Sequence, residues 1–223
     1  MSSEWSQPPK VSAVYFDIGE TVLDRSREYA AWAAFLGLPS HTFSAVFGAI
    51  VSRGGGVSDV LHYLRPSESV GSLRDGLQRS GLVPPLTDED LYPGVRILLK
   101  QLRAAGLAVG IVGNQPLALG EQLRRLDLDA DVVAVSAEWG LEKPDPRFFQ
   151  RCVQTAGCAS ADVLYVGDQL DNDVRGALAA GLQVVRVRSG PWGLLTGDDE
   201  LEARCLAVID SIADLADVLD LEN

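Results

Sequence analysis

Six short apolar runs rich in β-branched residues recur along the chain, at 11–16, 107–112, 132–136, 163–166, 183–188 and 206–209. After the first, helical patterns separate most of them. Val95, Leu98, Leu99 and Leu102 repeat at i, i+3, i+4, i+7, with Pro93 near the start of the stripe and Gly106 closing it. Leu119, Leu123 and Leu126 form a second stripe. Phe148, Phe149, Cys152, Val153 and Ala156 form a third, between Pro146 and Gly157. Val174, Ala177 and Leu178 form a fourth, which stops at Gly181. A last helix is expected to open on the capping-box spacing of Ser211 and Asp214 and to bury Ile212, Leu215 and Leu219. Strand–helix alternation of this kind predicts an α/β fold, a doubly wound Rossmann-like parallel sheet.

Residues 26–90 break the rhythm. Helical patterns at 29–36, 42–51, 57–64 and 70–78 hold no convincing strand, and Gly54-Gly55-Gly56 interrupts them. No Lys-Ser/Thr follows the glycines, so they are not a P-loop, and no GxGxxG follows a strand. The expected organisation is a core at 11–25 and 91–223, a helical insert at 26–90, and a loose polar leader at 1–10 without the apolar core of a signal peptide.

At 223 residues and 47% hydrophobic, the chain can bury a sizeable core. Its net charge of −12 argues against nucleic acid and anionic membrane surfaces as partners, because both reward basic patches. Cys152, Cys158 and Cys205 are too scattered for a disulfide framework or a zinc site and read as thiols of a reduced compartment. No apolar run approaches the roughly 20 residues of a membrane span. A cytoplasmic protein is expected.

In open α/β sheets, ligands bind beyond the carboxyl ends of the strands. There the sequence places Asp17 after the first run and Gly113-Asn114 after the second. Gly167-Asp168 follows the fourth, with Asp171, Asn172 and Asp173 behind it, and a loop after the third carries Glu142-Lys143-Pro144-Asp145-Pro146. Asp17 and Asp168 suit a hard cation such as Mg²⁺, which takes one or two carboxylates, a carbonyl and waters. Lys143 would offset charge on Asp17 and on a bound phosphate. A carboxylate held this way can attack phosphorus and form an aspartyl-phosphate. Each piece alone has a plainer reading as a turn residue, a helix cap or a solvated lysine. Their order along one sheet edge is what favours chemistry.

These motifs resemble those of the haloacid dehalogenase (HAD) superfamily over nearly the whole chain. Phe16-Asp17-Ile18-Gly19-Glu20-Thr21 with Asp24 looks like the first motif, Ile111-Val112-Gly113-Asn114 stands at the second, and Lys143-Pro144-Asp145-Pro146 resembles the third. Val166-Gly167-Asp168 through Asn172-Asp173, with Gly176-Ala177 and Ala180-Gly181, resembles the fourth. Tyr92-Pro93-Gly94-Val95 resembles the return from cap to core, and the insert looks like a C1-type helical cap. The resemblance implies a Mg²⁺-dependent hydrolase acting on a small phosphate monoester through Asp17. It assigns the metal to Asp17, the Gly19 carbonyl and Asp168, with Asp173 in support, and the phosphate to Lys143, Gly113 and Asn114.

Two positions depart from the pattern. The family's phosphatases carry a second Asp where this chain has Gly19, and that residue protonates the leaving group, work typically worth about 10²–10⁴-fold. Glu20 is the candidate substitute acid. Leaving groups of low pKa, as in acyl and aryl phosphates, need an acid least. Gly113 lacks the hydroxyl usual at the second motif, leaving the Asn114 backbone N–H as donor. A catalytically weak protein that binds a phosphorylated ligand or a protein partner is the alternative. A metal-independent 2-haloacid dehalogenase is a third reading, disfavoured by Gly167-Asp168.

The insert is the expected source of substrate selection. It holds both histidines, His41 and His62, and across 26–86 it sets Arg27, Arg53, Arg65, Arg74 and Arg79 against four carboxylates. The arginines suit an anionic substrate tail or, one by one, a soluble face of scattered ion pairs, and the histidines read as half-buried packing residues. Trp32, Phe35 and Phe43 read as core of the insert. Trp139 and Trp192 are expected in loops near the crevice.

Overall fold

A computed structural model describes residues 10–221, so most of the expected leader lies outside the described residues. The six runs form one all-parallel sheet: β1 (Ala13–Phe16), β2 (Ala108–Gly113), β3 (Val132–Val135), β4 (Val163–Gly167), β5 (Gln183–Val187) and β6 (Ala207–Ile209), in the order β3-β2-β1-β4-β5-β6. Phe16 stands opposite Ile111 on one side and Val166 on the other. The chain winds outward one way from β1 and the other way from β4. A crevice therefore opens between these two strands at their carboxyl ends.

Both faces of the sheet are buried, and alternate residues divide between them. Val14, Phe16, Ile111, Val166 and Val185 point to one apolar layer. On that side α5 (Val95–Ala104) buries Val95, Leu98, Leu99 and Leu102, and α6 (Leu117–Arg125) buries Leu123. Ala13, Tyr15, Val112, Tyr165 and Val184 point to the other layer, with Phe148, Phe149 and Cys152 of α8 (Pro146–Ala156). Asp145 caps α8 by accepting from the Arg147 N–H at 2.9 Å, Pro146 occupies its first turn and Gly157 ends it in the left-handed region. A short α7 (Ser136–Trp139) lies between β3 and α8.

Between β1 and β2 the chain forms α1 (Ser26–Phe35), α2 (Ser40–Val51), α3 (Val57–Leu64) and α4 (Val70–Ser80). These four helices bury their own apolar cluster, centred on Tyr29, Trp32, Phe43, Phe47, Leu61, Leu73 and Leu77. Leu23 bridges both Gly19 and Leu91, so the outgoing and returning strands of this excursion meet at the sheet edge. Among the described residues no single helix is long and apolar enough to cross a membrane.

The structure departs from the sequence reading in two helices. The stripe through Val174 and Ala177 is not one α-helix but a π-helical turn at Leu170–Arg175 followed by a short α9 (Gly176–Ala179). Both Asp173 and Val174 N–H groups donate to the Gln169 carbonyl, which widens the turn and carries Asp173 inward. The last helix is a 3₁₀ turn at Ile212–Asp214 and one turn at Leu215–Val218. Leu219 falls beyond it and is half-buried rather than core, because the chain turns away at Asp220 with φ of 51°.

Candidate active site

The carboxyl ends of β1 and β4 place Asp17 and Asp168 side by side. The Asp17 N–H donates to the Val166 carbonyl at 2.8 Å, which fixes the residue as the first beyond the β1 ladder. Asp168 follows Gly167, and its carbonyl accepts from Arg186 Nε at 3.3 Å. Asp173 enters from the π-helical turn. Carboxylate oxygens of Asp17, Asp168 and Asp173 lie within 4.8 Å of one another.

One ammonium stands among them. Lys143 Nζ donates to Asp17 Oδ1 and, at 2.5 Å, to Asp173 Oδ1. Asp173 is fully engaged, since its Oδ2 also accepts from the Gln169 N–H at 3.0 Å. Burial opposes the Lys143 charge, but the Asp17 and Asp173 carboxylates outweigh it and hold its pKa above the usual lysine value. Asn114 fixes the lysine's backbone from both sides: its Nδ2 donates to the Lys143 carbonyl and its Oδ1 accepts the Lys143 N–H, each at 2.8 Å. The Asn114 side chain is therefore spent on placing Lys143.

Asp168 is different. It is fully buried, and among the described residues neither of its carboxylate oxygens has a hydrogen-bond partner. An unpaired buried carboxylate is strongly unfavourable. Burial, with Asp173 and Asp17 close by, pushes its pKa well up. Burial also pushes the Asp17 carboxyl up, although Lys143 pulls the other way. Three carboxylates share a single lysine, and the orphaned one faces the other two. This donor set fits a hard divalent cation.

The opening above these groups is lined by Asp17, Gly19, Glu20, Arg25, Asn114, Gln115, Lys143, Gln169, Asn172 and Trp192. Gly113 packs tightly beneath it. A first side-chain carbon there would stand 2.8 Å from Asp17 Oδ1 and 3.2 Å from the Ile18 side chain. Glycine at 113 lets the candidate nucleophile occupy that space.

Glu20 and Gly19 aim in different directions. Glu20 sits at φ of 60°, is buried, and turns its side chain under Gly190, where the Tyr92 hydroxyl donates to Oε2 at 2.5 Å. The Tyr29 hydroxyl also faces its carboxylate. Burial raises the Glu20 pKa against the Tyr92 hydrogen bond. A side chain at 19 would instead point at Arg25 and Gln115.

The residues expected to select substrate are mostly elsewhere. His41 and His62 are exposed on the insert's outer surface, not half-buried, because each falls on the side of its helix away from the apolar cluster. Arg27 pairs with Asp90 at 2.8 Å, Arg65 donates to the Leu36 carbonyl at 2.6 Å, and Arg74 reaches Ser58 at 3.1 Å. Those three are occupied in holding the insert. Trp192 lies not in a loop but in α10 (Gly190–Leu195), and its ring packs edge-on to Phe47 at 5.2 Å. Trp139 is in α7, packed on Phe148. Arg25 and Gln115, which the sequence reading passed over, do line the opening. Their signal in the sequence is weak: Arg25 follows Asp24 of the first motif, and Gln115 follows Asn114 of the second.

Comparison with known proteins adds a lineage. Residues 86–187 match the family model described as haloacid dehalogenase-like hydrolase. The chain is 38% identical over 104 residues to a glyceraldehyde 3-phosphate phosphatase of Methanopyrus kandleri, covering 45% of each chain. It is 29% identical over 226 residues to a phosphoglycolate phosphatase of Nitrosospira multiformis, covering 92% of this chain and 94% of the relative. In the first six curated relatives the shared stretch spans about half of the relative's length. A magnesium-bound HAD hydrolase of Bacillus subtilis superposes with a TM-score of 0.72 at 18% identity, over 95% of this chain and all of the other, which is a likeness of fold.

Proposed function

We propose that the chain is a haloacid dehalogenase-like hydrolase, and specifically a phosphatase for a small phosphate monoester, a reading supported by the match over residues 86–187 and the phosphatase relatives. The observation that carries the reading is the orphaned Asp168 carboxylate beside the Lys143-bound Asp17. Phosphoryl transfer needs charge stabilisation around a nucleophile, and that is what is assembled here.

In this reading Asp17 attacks phosphorus, a new O–P bond forms, and the bond to the leaving oxygen breaks. Water then attacks the aspartyl-phosphate, releasing phosphate and restoring the Asp17 carboxylate. Lys143 is held at fixed reach by Asp17, Asp173 and the two Asn114 hydrogen bonds, so its charge is preorganised for the equatorial oxygens. Asp173 positions Lys143. Asp17 and Asp168, with the Gly19 carbonyl, would hold Mg²⁺. When bound, the cation neutralises charge on the transferring phosphoryl group. Closure of the four-helix insert over the opening would exclude bulk water.

The alternative, a binding protein with little turnover, is favoured by Gly19 and Gly113, which supply neither acid nor hydroxyl. A metal-independent dehalogenase leaves the buried Asp168 charge without a purpose. Phosphate release from a panel of esters, with and without Mg²⁺ and with Asp17→Asn alongside, separates the three. Mg²⁺-dependent release abolished by Asp17→Asn is expected. Release that survives Asp17→Asn sinks the nucleophile assignment. Inactivity on every ester supports the binding reading, and halide release without metal supports the dehalogenase.

A further inference from the structure

Gly19 leaves a gap, and the structure shows what fills it. The first carbon of a side chain at 19 would stand 2.9 Å from Arg25 Cδ, 3.5 Å from Arg25 Nη1 and 3.6 Å from Gln115 Nε2. Two nitrogen donors therefore converge where the chain lacks a carboxylic acid. Both residues line the opening that contains Asp17 and Lys143.

Arg25 is fixed rather than wandering. Glu28 accepts from its Nε at 2.9 Å and from its Nη2 at 2.6 Å, which occupies one edge of the guanidinium and leaves Nη1 on the side of Gly19. The guanidinium also lies 5.7 Å from the Tyr29 ring centre. Burial works against its charge, but Glu28 outweighs burial and holds the pKa above the usual arginine value. The group is a permanent cation that donates hydrogen bonds and gives up no proton.

A second recess shares Arg25 and Gln115 with the first opening, and apolar side chains including Leu23, Leu86 and Leu119 line it. It lies at the base of the insert, where Arg27 pairs with Asp90. Asp24, Glu28 and Asp90 line it too, but Glu28 and Asp90 are paired with Arg25 and Arg27, so a carbon-rich leaving group would meet mainly its apolar walls.

The geometry points to Arg25, assisted by Gln115, as the catalytic group on the leaving-group side of the phosphatase reading, serving aryl and acyl phosphates that depart as anions. The Asp17 Oδ–P bond forms as the P–O bond to the leaving group breaks. The electron pair stays on the departing oxygen, and Arg25 Nη1 with Gln115 Nε2 stabilise it by hydrogen bonds. No proton is transferred at this step. The phenolate or carboxylate takes up a proton from water after release where its pKa requires one. An alkoxide from an alkyl monoester is too basic for this arrangement, so such esters are poor substrates. Glu20 also lines the opening, but its carboxylate is held against Gly190 and accepts from Tyr92, whereas Arg25 and Gln115 are what border position 19.

The proposal rests on the phosphatase reading, and the test keeps the two apart. Steady-state kcat/KM is measured with Mg²⁺ for substituted phenyl phosphates of graded leaving-group pKa, acetyl phosphate and glycerol phosphate. The wild-type chain, Arg25→Gln, Arg25→Lys and Gln115→Leu are compared, with thermal unfolding followed for each. Wild type should fall steeply with leaving-group pKa and barely turn over glycerol phosphate. Arg25→Gln should slow phenyl phosphate about 10²-fold and dinitrophenyl phosphate less than about 10-fold, and Arg25→Lys should recover part of the loss. Gln115→Leu should act in the same direction more weakly. Gly19→Asp combined with Arg25→Ala should gain activity on glycerol phosphate, a change that misfolding cannot produce. Equal slowing of every substrate by Arg25→Gln, or wild-type turnover of glycerol phosphate at the rate of nitrophenyl phosphate, overturns the role of Arg25. A wild-type chain that releases phosphate from nothing overturns the phosphatase reading and this proposal with it.

Discussion

The two sides of the opening are built on opposite plans. On the side of β4, Asp17, Asp168, Asp173 and Lys143 form a buried cluster in which nearly every polar atom is committed and one carboxylate is left over. Positions 19 and 113 carry no side chain at all, and Arg25 and Gln115 crowd the first while Asp17 and Ile18 crowd the second. The first side gathers an ammonium and three carboxylates, while on the second no side chain at position 19 offers a proton. A chain can lose such a donor without losing the cluster, because buried charges depend on one another and a lone acid does not.

The largest effect should come from the nucleophile. Asp17→Asn keeps the shape and removes the attacking oxygen, so kcat should fall more than about 10³-fold with folding preserved. Lys143→Met tests whether the cluster is interdependent. It leaves three carboxylates without their ammonium, and the expected loss is about 3–5 kcal/mol of stability measured by urea unfolding without divalent cation, besides loss of turnover. A smaller stability loss would mean that the carboxylates are already screened by water.

Gly113→Ser tests one of the two empty positions. Adding the hydroxyl usual at this motif does not restore it, because the new carbon meets Asp17 Oδ1 and the Ile18 side chain. Overpacking should lower stability by about 1–3 kcal/mol, and phosphate release should not rise. Faster release by the Gly113→Ser variant would show that the backbone yields and that the site is merely stripped. Asp168→Asn should have the opposite sign. It removes a buried carboxyl whose ionised form burial and its neighbours disfavour, so without divalent cation Tm should rise by about 2–4 °C for each kcal/mol gained. Wild type should gain about 2.7 kcal/mol from Mg²⁺ at a hundred times its Kd, and the variant should gain almost none. A cation-induced shift that survives in Asp168→Asn removes Asp168 from the metal site.

How much of this was legible in the sequence follows from which forces are local. The six strands were readable because a parallel sheet buried on both faces writes itself as short continuous apolar runs. The residues beyond β1, β2 and β4 could be named because parallel topology places strand ends together whatever the loops do. The π-helical turn at Leu170–Arg175 was not legible, since periodicity cannot distinguish a shared Gln169 carbonyl from an ordinary turn. Arg25 was missed for a related reason. An arginine beside an aspartate reads as a solvated loop pair, and only the space left by Gly19, closed by Gln115 from beyond the next strand, gives it a place. The insert's arginines show the same limit of charge as a signal: Arg27, Arg65 and Arg74 could suit an anion but are engaged with Asp90, Leu36 and Ser58.

Glu20 decides how the two sides divide the work, and its substitution should have the smallest effect. It is buried, its pKa is raised by burial, and it lines the opening, which are properties of a general acid. Direction argues against that role. The side chain lies under Gly190, its Oε2 accepts from Tyr92, and the Ser189 hydroxyl donates to the Glu20 carbonyl. These contacts tie the loop after β1 to the return strand and to the start of α10. Glu20→Gln keeps an acceptor for Tyr92 and removes the proton donor. On an aryl phosphate, kcat should change by less than about 3-fold, whereas loss of a working general acid costs about 10²–10⁴-fold. A drop of that size, confined to substrates with poor leaving groups, would return the proton to Glu20 and leave Arg25 as a wall of the pocket.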